Sequence, residues 1–168
     1  MCIRDSYPVY FMSAHLSSEA DKTTTSSKII QYISESKRMG IDILPPDINR
    51  SRETFRVEGD CAIRFGLIGL KNVGSAALGI ILRAREQGGE FRDFNDFVER
   101  VDLAKVNKGV LESLVKAGAC DCFGLKRRVL YESVGEVLRR VTALSRSRQK
   151  NQRPLFSEAI ADDYIPRE

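Results

Sequence analysis

Tryptophan is absent, histidine occurs once, and neither sign of charge dominates: 27 Lys plus Arg against 23 Asp plus Glu leave a formal net charge of +4 over 168 residues. A chain so nearly balanced does not declare a polyanion partner through its overall charge. Four cysteines, Cys2, Cys61, Cys120 and Cys122, are scattered, and the one close pair is C-x-C with no histidine beside it, so a zinc shell lacks donors. They read as reduced thiols of a cytoplasmic protein. No apolar run approaches the roughly 18 residues of a membrane span. Met1-Cys2-Ile3-Arg4-Asp5-Ser6 lacks the apolar core of a signal peptide, so nothing directs secretion or insertion.

What is present suits a folded domain or two small modules: 42% hydrophobic and 30% charged residues supply a modest core and exclude wholesale disorder. The charge is uneven. From Lys126 to Arg153 there are nine basic residues and two acidic ones, a stretch that follows a polyanion or forms the solvated face of a helix; charge alone favours the latter.

Along the chain, Pro8 sits where a first helical turn tolerates it, ahead of Val9, Phe11, Met12 and Leu16. A polar segment over 17–27 ends in Ser27, a suitable cap for a helix over 28–39 whose apolar face is Ile29, Ile30 and Ile33. Lys37 and Arg38 before Gly40 close that helix. Ile41 to Leu44 reads as a strand ended by Pro45-Pro46. Residues 54–57 and 62–65 alternate apolar with polar across Glu58-Gly59-Asp60-Cys61, a β-hairpin with a four-residue turn that buries Phe55, Val57, Ile63 and Phe65.

From Gly66 the period becomes helical: one turn over 67–70, a tight connection Lys71-Asn72-Val73-Gly74, then a helix lined by Ala76, Ala77, Ile80, Ile81 and Ala84 up to Gly88-Gly89. Phe91, Phe94, Phe97, Val98 and Val101 recur at helical spacing and read as core. Asn107 caps a helix that closes at Gly118. A further helix from Leu125 to about Leu144 carries Val129, Leu130, Val134, Val137, Leu138 and Val141, and a polar linker follows. The expected fold is mainly α with a small β-hairpin (α+β), in three parts: 1–65, 66–124, and 125–168.

The segment Gly69 to Ala77 carries most of the functional information. Two helices joined so tightly need residues that accept unusual backbone angles, which Asn72 and Gly74 provide, while Leu70 and Val73 pin the turn. Free N–H groups at the second helix start, the positive end of its dipole and the missing side chain at Gly74 make a place for a phosphate. Small Ala76 and Ala77 favour tight packing. This is helix-hairpin-helix logic, which holds duplex DNA by its backbone; on those residues alone an ordinary αα-hairpin fits as well.

Beyond that segment, Tyr7 to Met12, Lys37-Arg38-Met39-Gly40-Ile41 and Leu44-Pro45-Pro46-Asp47-Ile48-Asn49 resemble the end of the fingers region of bacterial DNA polymerase III alpha subunits, the replicative C-family polymerases. The likeness continues through Ile63-Arg64-Phe65-Gly66-Leu67, Leu70 to Gly74, Phe97 to Asp102, Val106-Asn107-Lys108 and Lys116 to Ala119, which are similar to the helix-hairpin-helix region that follows. It covers residues 7–124 closely and the tail loosely. Gly109 stands where the family pattern has a basic residue, and residues 1–6 match nothing in it and read as a truncation or assembly scar.

The resemblance implies a piece of a DNA-directed polymerase whose partners are primer–template duplex, the bacterial sliding clamp and the other replicase subunits. Lys71, Asn72, Val73, Gly74, Ser75, Lys105 and Lys108 become the expected DNA-binding residues, with Arg83 and Arg85 as further candidates. Gln152-Arg153-Pro154-Leu155-Phe156 resembles the peptide with which bacterial polymerases dock on the clamp, Leu155 and Phe156 filling an apolar pocket and Gln152 bonding at its rim. For five residues taken alone an incidental Leu-Phe in a polar tail is the favoured explanation; their position after the polymerase-like region shifts the reading toward docking.

Catalysis by this chain alone is not expected, because nucleotidyl transfer needs paired carboxylates on two metal ions and there is no D-x-D pair. Magnesium belongs to the parent polymerase, with no cofactor in this chain. Asp93, Asp96, Asp162 and Asp163 read as caps or solvated charges, and His15 as a local substitution on a helix rather than a catalytic base. The rival readings are a free-standing helix-hairpin-helix scaffold that binds DNA or a repair partner, and a clamp-binding adaptor. Against the former, Pro8 to Leu16 reads as beginning in mid-domain.

Overall fold

The structure, a computed structural model, describes residues 7–20, 26–103 and 106–149. Cys2, Lys105, Gln152, Leu155, Phe156, Asp162 and Asp163 lie outside the described residues, as do the side chains of Ser27 and Val141. Two helices, α1 (Pro8–Ala20) and α2 (Ser26–Arg38), precede three short strands, β1 (Asp42–Leu44), β2 (Arg56–Glu58) and β3 (Ala62–Arg64). A 3-10 turn (Leu67–Gly69) leads into α3 (Ser75–Gly88), α4 (Phe94–Arg100) and α5 (Lys108–Ala117). After a second 3-10 turn (Asp121–Phe123) comes α6 (Arg127–Gln149). The chain is mainly α with a small sheet.

In α1, Val9, Met12, Ser13 and Leu16 are buried at the i, i+3, i+4, i+7 positions of one face. Ile29, Tyr32 and Ile33 of α2 pack on the same core. Ile30 does not: it is 62% exposed, because successive helical residues lie about 100° apart and Ile29 already takes the inward direction. Gly40, at φ 74, ends α2, and the N–H of Ile41 reaches the carbonyl of Ser36 at 2.9 Å, a Schellman closure.

The sheet is more than a hairpin. Its order is β1-β3-β2, with β1 parallel to β3 and β2 antiparallel to it. Pairing of Glu58 with Ala62 shortens the expected four-residue turn to Gly59-Asp60-Cys61, with Gly59 at φ 70. Phe55 and Ile63 are buried, and Val57 and Phe65 pack beside them, so the expected inward face is present. The β1–β3 pairing is invisible to local pattern, since parallel strands are joined through distant chain.

The first core gathers α1, α2 and the sheet; the second gathers α3 to α6, with Phe94, Phe97, Leu78, Ile81, Leu111 and Leu114 among its fully buried side chains. Leu130, Val134 and Val137 of α6 and Ile48 from the loop after β1 also belong to the second core. Helix α3 turns Ala77, Leu78 and Ile81 inward, with Ile80 and Ala84 partly covered, whereas Ala76 is exposed and does not mediate packing. Asn107 caps α5 by accepting from the N–H of Val110, and Gly118, at φ 82, closes it.

Candidate nucleic-acid interface

The hairpin is built from the first 3-10 turn, a four-residue connection and the start of α3. Leu67 is completely buried, Leu70 is partly covered by the same core, and Val73 is 5% exposed, so apolar side chains hold both ends of the connection. The N–H of Val73 donates to the carbonyl of Leu70 at 3.3 Å. Among the described residues Asn72 is the non-glycine residue with positive φ, at 64, as the tight connection requires.

Gly74 differs from expectation in one respect. It takes φ −89 and ψ 159, extended backbone open to any residue, so its lack of a side chain is not demanded by the turn. A Cβ added there would meet nothing within 4 Å. Gly74 is the N-cap of α3 and offers no side-chain acceptor, which leaves the first-turn N–H groups without intrahelical partners beside exposed Ser75 and Ala76. The positive end of the α3 dipole thus meets solvent at a spot free of steric cover.

The expected site residues divide. Lys71, Asn72, Gly74 and Ser75 are exposed together on the connection, and Val73 is its buried anchor. Lys71 makes no ion pair among the described residues. Lys108 begins α5, with a side chain 64% exposed and an ion pair to Glu112 at 3.4 Å. Arg83 is exposed and donates to the carbonyl of Gly79 in its own helix. Arg85 is not available as a phosphate contact: one guanidinium nitrogen donates to the carbonyls of Ile48 and Ser51, both at 2.8 Å. Burial lowers its pKa, seconded by the neighbouring charge of Arg52.

Sequence reasoning passed over Arg52, which is exposed and whose carbonyl accepts from the N–H of Leu67 at 3.0 Å, alongside the hairpin's first turn. No local signal marks it, because only the tertiary fold brings the loop after β1 to the hairpin.

Three arginines of the basic helix α6 are ion-paired: Arg127 with Asp121, Arg128 with Glu132, and Arg140 with Glu136. These three charges behave as a solvated face. Among the described residues no group of three or more His, Cys, Asp or Glu could hold a metal ion. Asp93 caps α4 by accepting from the N–H of Asp96, and Asp96 pairs with Arg100 at 3.1 Å, so these carboxylates do not fit a two-metal site. His15 stacks between Phe11 and Tyr32, at centroid distances of 4.4 and 5.2 Å. No helix among the described residues is long and apolar enough to cross a membrane.

The family described as helix-hairpin-helix motif matches residues 40–130. The chain is 37% identical over 163 residues to the DNA polymerase III subunit alpha of Borreliella burgdorferi, a match covering 97% of this chain and 14% of that protein. It is 48% identical over 128 residues to that of Thermus aquaticus, covering 76% of this chain and 10% of the relative. For the Escherichia coli subunit the identity is 36% over 150 residues, covering 89% and 13%. The chain therefore spans between 10% and 14% of the length of these relatives.

Proposed function

This chain belongs to the helix-hairpin-helix family and corresponds to a segment of DNA polymerase III alpha subunits; from that premise we propose that it holds primer–template duplex for a replicative polymerase through the phosphate backbone. The observation that carries the reading is the exposed, uncapped start of α3 at Gly74, with no atom within 4 Å of where its side chain would be and Lys71 beside it. Backbone N–H groups and the helix dipole attract a phosphate oxygen there, and Lys71 adds a mobile charge. Lys108, at the start of α5, is assigned to the same interface, and Lys105 with it. Contacts of this kind go to phosphate rather than to base edges, so binding is expected to be independent of sequence.

The same reading assigns Gln152, Leu155 and Phe156 to docking on the sliding clamp, with the other replicase subunits as further partners and the cytoplasm as the compartment. Magnesium serves the polymerase as a whole and meets no ligand cluster among the described residues of this segment.

Fluorescence anisotropy with duplexes of unrelated sequence tests the DNA reading. Affinity should be equal across sequences and fall with salt at a slope of about 0.9 per phosphate contacted. Lys71→Ala should lower that slope by about one contact; an unchanged slope removes Lys71 from the interface. Clamp retention is scored separately, and Leu155→Ala with Phe156→Ala should abolish it while leaving duplex affinity intact.

A further inference from the structure

The polar groups of the loop between β1 and β2 do more than satisfy one another. Asp47 organises the turn: its carboxylate accepts from the N–H groups of Asn49 (2.7 Å) and Arg50 (3.1 Å), and its own N–H donates to the Ser51 hydroxyl at 3.0 Å. The Ser51 hydroxyl in turn donates to the carbonyl of Phe65 at 2.8 Å, tying the turn to the end of β3. Ser51 is fully buried.

On its other side the turn is gripped by the helical core at three separated points. Arg85 of α3 donates to the carbonyls of Ile48 and Ser51. The Asn49 amide makes a reciprocal pair with the backbone of Phe91, accepting at 2.8 Å and donating at 2.9 Å, ahead of α4. The N–H of Ile48 donates to the carbonyl of Ala119, just past α5, at 2.8 Å, and its side chain enters the helical core. The two hydrophobic cores are distinct clusters, and this turn stands between them.

We infer that Arg85 and Asn49 are positioning residues that latch the Asp47–Ser51 turn onto the helical unit and so fix the angle at which the hairpin is presented relative to the sheet unit. Hydrogen bonds to three separate elements restrain rotation through their directional preference, which the hydrophobic effect itself lacks. Arg85 is suited to this role because its planar guanidinium is rigid and holds its donors in fixed directions, where a lysine ammonium is a point charge. The latch works in the same way whatever the hairpin binds.

Residual dipolar couplings of this 18.9 kDa chain measure the angle directly. In the wild type a single alignment tensor should fit the amides of the sheet unit and of the helical unit. In Arg85→Met and in Asn49→Ala the two units should require tensors of different magnitude, and amide exchange at Phe91 should accelerate by on the order of tenfold in Asn49→Ala. Arg100→Met is the control, because Arg100 binds the helical unit to itself through the carbonyls of Ala84 and Gly89 and the Asp96 carboxylate. It should lower Tm and leave the common tensor unchanged. If Arg85→Met does not fold, Asn49→Ala decides alone, since it leaves the bonds from Arg85 to Ile48 and Ser51 in place. A common tensor of unchanged magnitude in the folded variants overturns the assignment.

Discussion

Gly74→Asp should stabilise the protein and destroy the proposed phosphate site in one step. The backbone at φ −89 and ψ 159 accepts any residue, and the new Cβ enters space with no atom within 4 Å, so neither strain nor overlap is expected. An aspartate N-cap accepts from the first-turn N–H groups, worth a few tenths of a kcal/mol over glycine. A negative charge at the positive helix end adds about 0.3–1 kcal/mol. Replacing glycine also narrows the unfolded ensemble. Together these give about 1 kcal/mol, or an increase in Tm of about 2–4 °C for a chain of this size.

The same carboxylate would occupy the N–H groups that a phosphate needs. At about 5 Å and an effective dielectric near 20 the like-charge repulsion is about 3 kcal/mol before salt screening. Duplex affinity at low salt should therefore fall at least about tenfold, and the salt slope should shrink by about one contact. Calorimetry and anisotropy on the same sample separate the two effects, because misfolding would lower both stability and affinity. A variant with raised Tm and unaltered duplex affinity would refute the phosphate site at α3.

Gly66→Ala tests the junction between the cores: its Cβ would overlap the Thr54 carbonyl carbon and sit 2.5 Å from the nitrogen of Phe55. Those are backbone atoms, so a loss of about 1–3 kcal/mol or more is expected in urea unfolding. The pH dependence has a defined sign at Glu58, whose pKa lies below 4.5 chiefly because Arg64 hydrogen-bonds its carboxylate, against a smaller opposing effect of burial. A carboxylate depressed in the folded state contributes stability above its unfolded value of about 4.5, and that contribution is lost as pH falls through the lower folded value. Glu58→Gln should reduce stability at neutral pH and lessen the acid loss below pH 4.5, measured as Tm against pH; an unaltered acid limb would remove Glu58 from that loss.

Several readings from sequence depend on local physics alone and hold in the structure. Asn107 and Gly118 bracket α5 because a cap acceptor and a left-handed closure need nothing beyond the helix itself. Asn72 takes its positive φ for the same reason: few residues tolerate it, and a tight connection needs one. Phe91, Phe94 and Phe97 are core, as helical spacing of large apolar residues requires.

Other readings fail where the outcome depends on what stands opposite. Ile30 has the same chemistry as Ile29 but faces solvent, because α1 and the sheet cover only one side of α2. Ala76, expected at a helix contact, is exposed, and Leu78 turns inward in its place. Gly74 owes nothing to unusual backbone angles; its open surroundings are visible only in three dimensions.

The order of elements, their caps and stops, the helix-hairpin-helix signature and the kinship with polymerase alpha subunits are legible in the chain before it folds, since each is written in neighbouring residues or in their ordered succession. Three features are settled only in the folded molecule: the parallel pairing of β1 with β3, the diversion of Arg85 from surface cation to internal latch, and the approach of Arg52 to the hairpin. The physical reason is common to all three. A hydrogen bond or a charge is worth what its partner makes it, and those partners lie far along the chain, where no local period or spacing records them.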